Sequence, residues 1–247
     1  MKKHVYILLI IGFFFSACKD KIGPEECFMA AGKNGSREVT VSNFQSIIAS
    51  DRLVLRITQD TAQPQKVVLR GGGNVIKNVS VAVDNGQLII DDRNVCNWTR
   101  DFSKKIIVEI NCKILHGITL NDAAEIEFTD TLQSDSLVVY QRSAGKVNLT
   151  VKAGKFEVNH ESTGVVDING YAAVFVPVMF DAGKLDARNM QGDYTFAYHY
   201  GINELHVKPF KVLHALVGNS GNIFYYAEPV EEPLKVERIG SGNVERK

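Results

Sequence analysis

The sequence predicts an all-β solenoid, a stack of β-strand rungs, and three features predict it. The first is a small residue that returns through the second half at Ala124, Gly145, Gly164, Gly183, Asn203, Gly221 and Gly242, in steps of 21, 19, 19, 20, 18 and 21 residues. A fixed period in that range marks stacked repeats. The second is strand alternation in register: two places on stand Ile126, Val147, Val166, Leu185, Leu205, Ile223 and Val244. Four places on stand Phe128, Leu149, Ile168, Ala187, Val207 and Tyr225, with Glu127, Asn148, Asp167, Asp186, His206 and Phe224 between. The third is a second, mostly apolar set upstream, six places before the small residue (Ile118, Val139, Val158, Pro177, Ala197, Ala215, Val236) and eight before it (Leu137, Phe156, Phe175, Thr195, Leu213, Leu234). Each coil therefore supplies two buried strands.

From the N-terminus, residues 1–17 form a lipoprotein signal peptide: two lysines, an apolar run from Val5 to Phe15, and Ser16-Ala17 before Cys18. The run is shorter than the ~20 apolar residues a membrane span needs. The small pair before Cys18 resembles a lipobox, which implies cleavage and acylation at Cys18; ordinary secretion with a spare thiol is the alternative. Residues 18–37, with Gly23-Pro24 and Gly32-Lys33-Asn34-Gly35, show no periodic apolar face and are expected to form a lipidated tether. Cys27, Cys96 and Cys112 remain. Cys112 continues the buried alternation of Ile106, Val108 and Ile110, so the expected disulfide joins Cys27 to Cys96. It would close a loop of about 70 residues and contribute about 2–4 kcal/mol.

Residues 38–113 are expected to form an N-terminal β region or cap of the same domain, with strands over Leu53–Thr58, Lys66–Arg70, Val79–Asp84, Gln87–Asp91 and Ile106–Ile110. Asp84-Asn85-Gly86 between two alternating runs signals a hairpin. Gly71-Gly72-Gly73 has no following helix or Lys-Ser/Thr pair and is taken as a loop or bulge. The irregular spacing fits wider coils with hairpin excursions, or an antiparallel cap over the first edge of the stack. Residues 114–247 carry the regular rungs, and Pro229, Pro233, Glu231, Glu232, Glu237 and Arg238 would blunt the last of them. No stretch has helical periodicity with caps, so helix content should be near zero.

The glycine-plus-two rhythm, with Gly201-Ile202-Asn203, Ser220-Gly221-Asn222-Ile223-Phe224-Tyr225-Tyr226 and Gly240-Ser241-Gly242-Asn243-Val244, resembles the auto-transporter adhesin head GIN domain family. Upstream the match takes in Cys27-Phe28, Leu55-Arg56-Ile57-Thr58-Gln59-Asp60 and Cys96-Asn97-Trp98, covering most of the chain beyond the signal peptide. The resemblance implies a right-handed parallel β-helix with an irregular, hairpin-containing N-terminal β part, carried on a lipoprotein or secreted protein. It carries over no catalytic or binding residue. Asn203 in place of glycine, and Pro177 at an inward strand position, depart from the pattern; proline removes a ladder donor.

Lysine plus arginine equals aspartate plus glutamate at 28 each, which excludes a basic field for nucleic acid. Stacked rungs lie about 4.8 Å apart, so Glu127, Asn148, Asp167, Asp186 and His206 should form a polar ladder, with Phe224 at the same outward offset. Asp167 and Asp186 as neighbours could share calcium or work as acid and base on a sugar, or be a solvated face with no function. No other metal or cofactor is indicated. Phe224 and the rings at Tyr194, Phe196, Tyr198, Tyr200, Tyr225 and Tyr226 would either stack on sugar faces or be buried under a capping loop. The histidines His116, His160, His199, His206 and His214 are read as falling at different offsets, with no nucleophile beside them. Asp60-Thr61-Ala62, Asp130-Thr131-Leu132 and Asp135-Ser136-Leu137 resemble O-glycosylation sites. Together these features point to an outer-membrane, lipid-anchored binding module of the cell envelope for a glycan or protein, periplasmic or surface-facing. The alternatives are a polysaccharide-acting enzyme using the acidic ladder, or a structural periplasmic scaffold.

Overall fold

Residues 29–95 and 105–247 are described by a computed structural model, with backbone alone at 128 and 129. Strands take 66% of the chain and helix 2%, in a solenoid of about six turns. The long strands β9 (Glu125–Ser143), β10 (Lys146–His160), β11 (Val165–Met179), β12 (Lys184–His199) and β13 (Glu204–Val217) are those the repeat predicts, and all are paired in parallel; β1 to β8 precede them. Short strands β14 (Asn222–Tyr225), β15 (Lys235–Arg238) and β16 (Val244–Arg246) finish the stack. Their register is that of the repeat: Val147↔Ile126, Val147↔Val166, Val166↔Leu185, Leu185↔Leu205, Leu205↔Ile223 and Ile223↔Val244. Ile126 through Ile223 in this row are almost wholly buried, as are Phe156 and Phe175, whose rings stack 5.6 Å apart. At Pro177 the β11–β12 pairing passes from Phe175↔Thr195 to Val178↔Tyr198, which is the interruption a missing N–H imposes.

The N-terminal part combines both expected solutions. Strands β2 (Ser46–Ala49) and β3 (Leu53–Gln59) make the first coil, but β6 (Gln87–Asp92) and β7 (Ile106–Cys112) pair on one side of it, while β8 (Gly117–Asp122) and β9 pair on the other. The first coil in sequence is thus the second in space. Beyond it lie antiparallel strands: β4 (Lys66–Gly72) on β7, β1 (Asn34–Thr40) on β4, and β5 (Val79–Asp84) on β6. The β5–β6 hairpin turns at Asn85 and Gly86, both with positive φ (48° and 76°), as its sequence requires.

Two expectations change. Residues 34–37, placed in the tether, begin β1, and the chain before them is docked: the Gly73 N–H donates to Lys33 O (2.9 Å) and the Asn74 N–H to Ala31 O (3.0 Å). Gly71-Gly72 ends β4 and Gly73 opens the one-turn helix α1 (Gly73–Ile76), so the triplet is a strand-to-helix corner. A Cβ on Gly72 would lie 2.2 Å from Ala31 O, so only glycine lets the N-terminal segment cross here. Cys112 is buried as a free thiol. Cys18, Cys27, Cys96 and Trp98 lie outside the described residues.

Candidate functional site

Outward positions on β9–β14 are set by strand alternation, and parallel pairing stacks one row of them in register, the register shifts of β9–β13 falling after that row. The ladder forms rung by rung: Glu127↔Asn148, Asn148↔Asp167, Asp167↔Asp186, Asp186↔His206 and His206↔Phe224. It also extends beyond the predicted residues, through Phe224↔Glu245 at one end and Arg56↔Glu109 beside Glu127 at the other. Along it, carboxylates are held by cations: Arg56 Nε meets Glu127 Oε2 at 2.9 Å, Lys146 Nζ meets Asp167 Oδ2 at 2.9 Å, and Arg188 Nε meets Asp186 Oδ1 at 2.8 Å. Partial burial pushes the Asp186 carboxyl up. Hydrogen bonds from the Arg188 side chain and N–H, with the charges of Arg188 and His206, outweigh it and hold the group below its ordinary value. A carboxyl so held is a poor general acid near neutral pH. Among the described residues no group of three or more His, Cys, Asp or Glu is arranged to hold a metal ion.

At the C-terminal end of the ladder the outward side chains are covered. His206 shares hydrogen bonds with Tyr226 Oη (2.9 Å) and Glu204 Oε2 (3.1 Å). Phe224, the candidate for stacking on a sugar, is only 6% exposed: its ring leans on His206 (5.3 Å between centroids), and Lys247 Nζ sits 4.3 Å from its centre. Its offset is outward, but the last residue of the chain closes over it. Among the described residues the exposed rings are elsewhere, at Tyr194, at Phe210 and in the stacked pair Phe180 and Tyr200, 5.4 Å apart.

Sequence reasoning missed a groove of about 860 Å³ where the ladder meets the cap. It crosses the strands β1-β4-β7-β3-β9-β10, so at ~4.8 Å per strand it runs roughly 24 Å. Val54 and Ile107, paired at outward positions, form an apolar floor; Arg56, Arg70, Lys105 and Lys146 stand on it with Glu125 and Glu127. Lys146 sits one place after the small residue of its repeat, a row that also holds Glu125, Lys184 and Glu204, so part of this surface was legible. The wall from β1 and β4 was not, because their pairings follow no period.

The histidine offsets also need correction. His160 and His199 share one offset, four before the small residue, with Gln141 at the equivalent place. Each bonds the carbonyl four residues ahead: Gln141 Nε2 to Gly145 O (2.9 Å), His160 Nε2 to Gly164 O (2.9 Å), and His199 Nε2 to Asn203 O (2.7 Å). Burial holds both histidines below their ordinary pKa, so they are neutral at pH 7 and pin the turns. His116 lies 3.3 Å from Ser134 Oγ, but that hydroxyl donates to Ser136 O (2.8 Å) rather than serving as a nucleophile.

A stack of parallel rungs with an in-register row of side chains and a groove beside it defines a β-solenoid. The family model described as "Putative auto-transporter adhesin, head GIN domain" matches residues 43–229. The chain belongs to that adhesin-type family. Among solved structures it is similar to a putative adhesin from Bacteroides fragilis (20% identity, 89% of this chain and 100% of that one, TM-score 0.81). It is similar too to a putative adhesin from Parabacteroides distasonis (20%, 88% and 99%, TM-score 0.68) and to a protein titled a putative lipid binding protein from the same organism (15%, 87% and 97%, TM-score 0.64). At these identities the likeness concerns the fold. No curated protein matches the sequence.

Proposed function

We propose that the protein is a lipid-anchored cell-envelope module, held through Cys18 at the outer membrane, that binds a glycan or protein partner without chemical turnover. The observation that carries this reading is the outward face itself. One register-true row of polar side chains runs from Glu127 through Asn148 and Asp167 to Asp186, and its carboxylates are paired with Arg56, Lys146 and Arg188. The paired strands fix the backbone beneath these side chains, so less ordering is left to oppose binding. Membership of an adhesin-type family supports the same reading. The enzyme alternative draws less support, since Asp186 is held ionised and the face around Asp167 opens into only a shallow polar depression with Asn148, Asn169 and Arg188.

The test is a glycan array with the purified protein, in calcium and in chelator, following any hit for released product. Binding without turnover, weakened by Asp167→Ala, is the expected result. Product release would establish the enzyme instead, and silence across the array with capture of a protein ligand would move the partner to that class.

A further inference from the structure

We infer that the groove between the cap and the ladder takes a stretch of an acidic polysaccharide, a chain bearing carboxylate or sulfate groups; this rests on the binding-module reading and names its ligand class. Charge is the first argument. The chain as a whole is balanced, and each of the four cationic side chains lining the groove has a carboxylate beside it (Arg56 with Glu127, Arg70 with Glu109, Lys105 with Glu125, Lys146 with Asp167), but Glu109 and Asp167 do not line the groove, which leaves four cations against Glu125 and Glu127 on its surface.

Donor supply is the second. Arg56 and Arg70 spend Nε on Glu127 and Glu109 (2.9 and 2.8 Å), and among the described residues the terminal amino groups of both forks remain for an acceptor on the ligand. These pairs are exposed and therefore weak, so an incoming anion can share or displace the glutamates. Shape is the third. The groove runs roughly 24 Å across six strands, with Val54 and Ile107 side by side on its floor, where the C–H face of a sugar ring can lie while its acidic substituents reach the cationic side chains.

The experiment measures binding of the purified protein to polygalacturonate, to its carboxyl-reduced neutral counterpart, and to dextran sulfate, at low and high salt. Vesicles with and without anionic lipid serve as a further comparison. The variants are Arg70→Glu and Lys146→Glu, with Lys235→Glu on exposed β15 as control and circular dichroism to confirm the fold of each. The expected result is binding to one or both acidic polymers that weakens with salt and falls about ten-fold or more with either groove reversal, Lys235→Glu having no effect. Equal affinity for the neutral polymer would overturn the inference while leaving a binding module intact. So would acidic-polymer binding indifferent to both reversals, or binding to anionic vesicles alone. Failure of every polymer, together with a silent glycan array, would overturn the inference and the glycan reading with it.

Discussion

Replacing Gly183 by alanine tests why the repeat demands a small residue. A Cβ there would lie 2.2 Å from His160 Nε2, 2.5 Å from His160 Cε1 and 2.4 Å from Ser162 O. The imidazole of the preceding rung therefore fills the space a side chain would need. Gly221 repeats the arrangement, its Cβ falling 2.2 Å from His199 Nε2. Admitting the methyl forces His160 off the Gly164 carbonyl, costing about 1–3 kcal/mol for a buried hydrogen bond left unmade. Overpacking against Ser162 O costs about 1–3 kcal/mol more. A loss of about 2–6 kcal/mol corresponds to a fall in Tm on the order of 10 °C for a chain of this size. Urea and thermal unfolding followed by circular dichroism would measure it. In the double variant His160→Ala/Gly183→Ala the clash is left with Ser162 O alone, so the two losses should fall short of additivity by about 1–2 kcal/mol. Strict additivity, or a Gly183→Ala protein as stable as the parent, would refute the account. Asn203 fits the same logic: the residue one rung below it at this offset is Met179, which has no nitrogen to send beneath the turn.

Three further outcomes follow from the same coordinates. Burial lowers the folded pKa of His160 and His199 beneath the ordinary 6.5, so their contribution is full above that value and is lost as pH falls, when the unfolded chain takes up protons the folded one refuses. Unfolding titrations between pH 7 and pH 5 should show the decline, and His199→Gln, which copies Gln141, should flatten it. The Cys112 thiol, pushed up to about 11 by burial, should resist a disulfide reagent in the folded protein and react once urea unfolds it. Phe156→Ala removes one ring of the stacked pair in the core and should cost about 3–5 kcal/mol in the same unfolding assay.

The second half was legible because in a stack the repeat spacing is also the strand register. Reading Asp167 and Asp186 as the same offset was therefore equivalent to placing them side by side. The first half lacked that equivalence. Nothing local says that Ile107 pairs with Val54, more than fifty positions back, or that β1 folds over β4, and the groove is built from those long-range pairings. Burial at the C-terminal end was illegible for a related reason: Phe224 is covered by Lys247, a contact outside the alternation that assigned its direction. The shared place of His160 and His199 is visible in the spacing, but their partners are backbone carbonyls of the turns ahead, which no residue type in the sequence marks.

The first coil, clamped between the β6–β7 coil and the β8–β9 coil, gives the molecule two unlike ends. Nothing can be inserted at the N-terminal end without unpicking antiparallel partners that are themselves interleaved with later sequence. At the C-terminal end, by contrast, β15 and β16 each lie on a parallel neighbour, so the stack continues there in the pairing mode of every earlier rung. Such a body lengthens in one direction only, by whole rungs, with its groove kept at a constant distance from the closed end. Length and groove are therefore separable features of this fold, open to change independently of one another.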